Sequence, residues 1–138
     1  VDAERDITAD WIRNSTIQGY IEGIESKHTL LIADACFGGG IFKTRAAFED
    51  ASKSVKNLYR YPSRKAMTSG MLNEVPDKSV FMESLVRHLN DNQEKFLPSM
   101  NLFMQFRETV MNNSFNAPQY GTIHNTGDQG GDFIFIKK

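Results

Sequence analysis

A single α/β domain, with a mostly parallel sheet flanked by helices, is the fold class this sequence predicts. Three observations predict it. A segment of helical period is followed at once by a short run that is apolar on both strand faces, the alternation expected of helix and buried strand. A second short strand-like run ends in glycine, and two amphipathic segments follow it. The chain has 138 residues, 40% hydrophobic and 24% charged, enough for one modest core.

The elements are taken in order. Residues 1–14 are polar and irregular, with Trp11 and Ile12 as expected packing anchors. Asn14-Ser15 is placed to cap a helix over residues 16–25, where Ile17, Tyr20, Ile21 and Ile24 share one face. Residues 29–33, bounded by Lys27-His28 and Asp34, suit a central strand of a parallel sheet. Residues 37–50 read as an exposed loop, in which Gly38, Gly39 and Gly40 permit backbone shapes that a side chain forbids. A short helix over 52–60, a strand over 64–69 ended by Gly70, and a loop over 71–78 follow. Ser79 is placed to cap a helix through Asn90, burying Val80, Phe81, Leu85, Val86 and Leu89. Ser99 is expected to cap another to about Asn112, with Leu102, Phe103, Phe106 and Val110 inward. Residues 113–132 are turn-rich, and residues 133–136 form a last apolar strand. The six methionines are scattered, most of them at expected core positions.

Composition excludes several classes. A net charge of −1 argues against nucleic acid or an anionic membrane as partner. No apolar run nears the ~20 residues of a membrane helix, and no signal peptide is visible at the start. One cysteine excludes an internal disulfide and a cysteine-based zinc site, which fits a reducing, cytoplasmic setting. The sequence starts at Val1 rather than Met, as a processed or trimmed chain does.

That cysteine, Cys36, is the leading candidate for chemistry. The run Leu30-Leu31-Ile32-Ala33-Asp34-Ala35-Cys36 delivers a thiol from a strand into a glycine cluster, with a carboxylate two residues before it. The bland alternative is a small apolar residue ending a strand. Asp34 shares a strand face with Cys36 by the two-residue period and is placed to select a basic group; its bland alternative is local capping of backbone N–H groups. A thiol nucleophile needs a base, and the three histidines supply none plainly. His28 starts the same strand, roughly 25 Å from Cys36 at ~3.3 Å per residue. His88 falls on a helix and is expected to be exposed, and His124 falls in a turn-rich loop. No histidine pair has metal-ligand spacing.

The order of parts resembles the C-terminal portion of a caspase-like cysteine peptidase, of the bacterial caspase-like and metacaspase branch. The resemblance is carried by Leu30 to Gly39 with its Asp34-Ala35-Cys36, by Ser63-Arg64 through Thr68-Ser69-Gly70, and by the helix opening at Ser79-Val80-Phe81. Asn116-Ala117-Pro118-Gln119-Tyr120-Gly121 and Gly130-Gly131-Asp132-Phe133-Ile134-Phe135 complete it. Residues 1–138 then form the C-terminal portion of one such domain, a three-layer sandwich incomplete in this chain. The resemblance implies Cys36 as nucleophile, its N–H as one oxyanion donor, Gly38 shaping the turn, and Asp34 in a pocket for Arg or Lys. It implies Ser69, Gly70 and, less directly, Glu74 as further substrate-binding residues; Asp77 is the alternative to Glu74. The family's histidine lies in an upstream His-Gly element, and no His-Gly occurs here. The implied partner is therefore a His-bearing N-terminal fragment, with protein or peptide substrates. Some metacaspases use calcium, but the acidic residues here form no loop of EF-hand spacing, so no cofactor is expected. The competing expectations are an inactive caspase-like scaffold, favoured by the missing histidine, and a hydrolase of small amides or thioesters.

Overall fold

The fully buried strand is not the most apolar one. In the computed structural model, which describes residues 12–36, 55–70 and 78–138, the strand β1 (His28–Cys36) pairs in parallel with β2 (Ser63–Gly70). The latter pairs antiparallel with β4 (Gln119–Thr122), so β2 is central in a three-stranded sheet of order β1-β2-β4. All eight residues of β2 are buried, its Arg64 and Lys65 included, whereas Ile32 of β1 is 37% exposed. The sheet is thus mixed, and the apolar run expected at its centre flanks the centre instead.

Helices cover both faces, and strand period decides which side chain meets which helix. On one face α1 (Asn14–Glu22) packs Ile21 and Ile17 against Ala66, Leu31 and Ile123. On the other, Met67, Leu30 and Tyr120 pack against Phe81 and Leu85 of α3 (Val80–Asp91) and Leu102, Phe103, Phe106 and Val110 of α4 (Ser99–Asn113). Adjacent positions on β1 and on β2 therefore serve opposite faces. The rings of Phe81 and Phe103 both meet Phe106 edge-on, with centroids 5.5 and 5.4 Å away. Ser79 caps α3 as expected, accepting from the Met82 N–H at 3.1 Å. A short helix α2 (Val55–Arg60) precedes β2.

Several expectations are corrected. The first helix starts and ends earlier than its apolar period, leaving Ile12, Tyr20 and Ile24 exposed and only Ile21 buried. Val86 is half-exposed on the outer side of α3. Met67 is buried, but Met104 and Met111 lie on the outer side of α4. A strand not expected, β3 (Phe96–Pro98), pairs antiparallel with β5 (Ile134–Ile136). Ser99 does not cap α4. Its hydroxyl donates to Asp132 Oδ1 at 2.6 Å, and Asp132 Oδ2 accepts from the Met100 N–H at 3.1 Å in the first turn. The carboxylate that a helix N-terminus favours thus comes from 33 positions downstream. Asp132 Oδ1 also accepts from Tyr120 OH at 2.7 Å and from the Phe133 N–H at 2.8 Å, while Asp132 itself is 4% exposed. Burial and the Asp132 charge hold the Tyr120 phenol well above its usual value of 10.

The N-terminal end of the sheet is closed by buried polar pairs. Arg64 donates to the carbonyls of Ser26, Lys27, Ile24 and Ser63. Lys65 Nζ meets Asp128 Oδ2 at 3.0 Å and Thr122 Oγ1 at 2.9 Å, and the Arg64 N–H donates to the same carboxylate oxygen at 2.8 Å. Gly131 is wedged against the turn before β2, where any Cβ would overlap the Tyr61 carbonyl oxygen.

Candidate functional site

β1 and β2 end side by side, and the C-terminal ends of parallel strands are where α/β sheets hold ligands. Ala33 pairs with Thr68 and Cys36 pairs with Gly70, so Asp34 and Ala35 together oppose the single residue Ser69. One extra residue on β1 is a bulge, a device that re-aims side chains. The two-residue alternation that put Asp34 on the face of Cys36 does not run through it. The register leaves Asp34 and Ala35 in the bulge opposite Ser69, with Cys36 as the last residue of its strand. Gly38, Glu74 and its alternative Asp77 lie outside the described residues, as do Lys43, Arg45 and Lys53 of a mixed-charge segment that reads as a solvated loop or, alternatively, as a self-cleaved activation loop.

Two polar atoms at this end are unsatisfied. Asp34 Oδ1 and Ser69 Oγ are buried with no hydrogen-bond partner among the described residues, and Ser69 is only 3% exposed. An unpaired buried group of this kind costs about 1–3 kcal/mol, more for a charge. Both atoms accept hydrogen bonds, and an ionised carboxylate can do nothing else. The chemistry that would relieve them is a donor-rich cation such as an ammonium or guanidinium group.

Gly70 is needed here for close approach. A Cβ on it would lie 2.9 Å from Asn116 Cβ, tighter than side chains tolerate. The bend at 114–116 therefore seats on the end of β2, with Asn116 buried and its N–H donating to Ser114 Oγ at 3.0 Å. Asn116-Ala117-Pro118 is turn chemistry in the sequence and part of the resemblance, but neither places it against Gly70. Glycine ending a buried strand was the available sign that another segment approaches it.

None of the three histidines is placed beside Cys36 by its contacts. His28 opens β1, at the other end of the same strand. Its Nε2 lies 3.1 Å from the Tyr59 carbonyl and its Nδ1 2.9 Å from Ser63 Oγ. A carbonyl only accepts, so Nε2 carries the proton and Nδ1 accepts from the serine. Burial lowers the His28 pKa below its usual 6.5, which favours that neutral form. His88 is half-buried rather than exposed; its Nδ1 lies 2.7 Å from the Ser84 carbonyl and its ring packs by Phe106. His124 follows Ile123, whose N–H donates to the Arg64 carbonyl at 2.8 Å, and so sits at the N-terminal end of β2.

Among the described residues no group of three or more His, Cys, Asp or Glu is gathered where it could hold a metal ion. No helix among them is long and apolar enough to cross a membrane. No protein-family model, curated protein or solved structure matches the chain.

Proposed function

We propose that this chain is the cysteine-bearing part of a caspase-like cysteine endopeptidase, a three-layer α/β sandwich that cleaves after Arg or Lys. The observation that carries the reading is the pair of unpartnered buried acceptors, Asp34 Oδ1 and Ser69 Oγ, at the strand end where Cys36 pairs with Gly70. A basic side chain docked on them sets the following carbonyl near the Cys36 thiol. The thiolate attacks that carbonyl and the Cys36 N–H stabilises the oxyanion; the C–N bond then breaks as the leaving amine takes a proton from the partner histidine, and water, giving its proton to that histidine, hydrolyses the acyl-enzyme to the free carboxylic acid and the thiol. The base is a histidine from an upstream or partner fragment, because His28, His88 and His124 are engaged or placed elsewhere. The outer edge of β1 is unpaired among the described residues and carries half-buried Leu30 and Leu31, as a sheet continued by another segment would. Proteolytic processing is the expected route to activity, since Lys43, Arg45 and Lys53 are themselves acceptable to an Asp34 pocket.

The test is covalent labelling of the purified material, with any co-purifying polypeptide retained. An arginyl chloromethylketone is expected to modify Cys36, read by peptide mass spectrometry, while an aspartyl probe does not. Asp34→Asn is expected to abolish the difference. The histidine placements favour one second reading, a catalytically inactive caspase-like scaffold. No labelling, although a His-Gly-bearing polypeptide is present, would establish it. Labelling by acyl probes of any side chain would point instead to a small-molecule hydrolase.

A further inference from the structure

The last two residues of β2 are held less fully by neighbouring strands than those before them. The antiparallel ladder to β4 stops at Thr68, which pairs with Gln119. The parallel ladder to β1 passes from Thr68 to Gly70 and gives Ser69 no partner. Ser69 Oγ has no hydrogen bond either, so its place depends on the backbone that carries it. Among the described residues, two side chains bear on that backbone at Gly70. Thr68 Oγ1 donates to the Gly70 carbonyl at a long 3.5 Å, and Asn116 fills the space where a Gly70 side chain would lie. A Cβ there would stand 2.9 Å from Asn116 Cβ, 3.1 Å from its Cγ and 3.4 Å from its Oδ1. Packing that close stops Gly70 from shifting toward the bend.

Asn116 is itself fixed. It is 7% exposed, its N–H donates to Ser114 Oγ at 3.0 Å, and the chain beyond it is held by the buried Pro118 and by the pairing of Gln119. By the two-residue period Ser69 lies on the strand face of Met67 and Gly70 on that of Ala66, and these two residues pack into separate clusters. Asn116 therefore braces the strand end from the face opposite Ser69, and it bonds to neither orphaned acceptor.

We infer that Asn116 is a positioning residue: through Gly70 it holds Ser69 where, with Asp34, it receives the basic group. The inference rests on the endopeptidase reading for what those acceptors receive. Recognition groups work when packing behind them holds them to about 0.5 Å, and at this strand end Asn116 is that packing.

The experiment follows alkylation of Cys36 by an arginyl chloromethylketone, any co-purifying polypeptide retained, and separates KI from the maximal rate. Circular dichroism melts confine the measurements to temperatures at which each variant is folded, so a change in KI is not a change in folded fraction. Asn116→Gly vacates the seat and is expected to raise KI roughly tenfold, with the maximal rate changing far less. Gly70→Ala should raise it likewise, by forcing the two residues apart. The combined variant is complementary, because the new methyl group enters the space that the Asn116 side chain leaves, and it should regain most of the wild-type KI. Where a single variant does not fold, the folded double variant decides by the same measure. An unchanged KI in Asn116→Gly, a loss confined to the maximal rate, or a double variant no better than the single ones overturns the inference alone. A wild type alkylated no faster by the arginyl than by an aspartyl probe overturns the endopeptidase reading and the inference with it.

Discussion

The two ends of the three-stranded sheet are built on opposite plans. At the N-terminal end β2 begins with two buried cations, and nearly every polar atom there has a partner. Arg64 spreads over four carbonyls, Lys65 meets Asp128, and His28 bridges Ser63 and Tyr59; among the described residues only Arg64 Nε is left over there. At the C-terminal end a carboxylate oxygen and a hydroxyl are buried with no partner among the described residues. Satisfied polar networks hold a fold in one arrangement, whereas unsatisfied ones are strain kept for something else. The contrast places stability at one end and leaves the other for the recognition proposed above.

The surest way to break the first end is at Gly131. A Cβ there overlaps the Tyr61 backbone, which cannot move without disturbing the turn into β2. Gly131→Ala is expected to cost roughly 4 kcal/mol or more and to leave little cooperative thermal transition by circular dichroism. Asp132→Ala comes next. It strands two N–H groups and leaves the Ser99 and Tyr120 hydroxyls, 2.8 Å apart, with only each other, for an expected loss of roughly 3–5 kcal/mol in urea unfolding. The neighbouring phenol adds a pH signature. Tyr120 has a folded pKa raised above 10, so its contribution is fully present below pH 10 and is lost as pH rises through it. Tyr120→Phe should flatten that alkaline decline.

Ser69→Ala at the other end sharpens the comparison because the sign reverses. It removes an unpaired buried hydroxyl, so stability should hold or rise by about 0.5–1 kcal/mol while labelling of Cys36 by an arginyl probe falls. A loss above ~1 kcal/mol would show that Ser69 is structural and that the ends are not so different. The smallest effect is expected at His28. Its folded pKa is lowered, chiefly by burial, so the unfolded chain binds the proton more readily. Stability is then full above pH 6.5 and declines as pH falls through that value. His28→Gln should remove this acid dependence in a pH series of melting temperatures.

How much of this could be read from the sequence varies by residue, for physical reasons. Phe81, Leu85, Leu102, Phe103, Phe106 and Val110 were legible because a helix face repeats its burial every three or four residues. β1 and β2 were legible as strands, but not their rank in the sheet. Charge at Arg64 and Lys65 argued against full burial, and only the carbonyls and Asp128 that receive them make it tolerable. β3 was invisible because it has three residues, an exposed Phe96 and a proline, and exists only through its pairing with β5. Ser99 looked like a cap because the rule for caps is local, whereas its carboxylate partner is remote in sequence. At the candidate site, the Asp34-Ala35-Cys36 spacing was legible, but the register shift that sets Asp34 and Ala35 opposite Ser69 is a property of two strands together.

The remote cap of α4 has a consequence for how the chain is made. Synthesis delivers residues 99–113 well before Asp132, and until Asp132 arrives the first turn of that helix has no carboxylate to hold it. The Ser99 N–H likewise waits for the Phe133 carbonyl, and β3 waits for β5. On the ribosome, the cysteine strand and its neighbour are therefore exposed early, while the layer that covers one of their faces locks late. An unfinished chain carries its apolar strand uncovered, and it is at this stage, rather than after completion, that misassociation between chains is expected to concentrate.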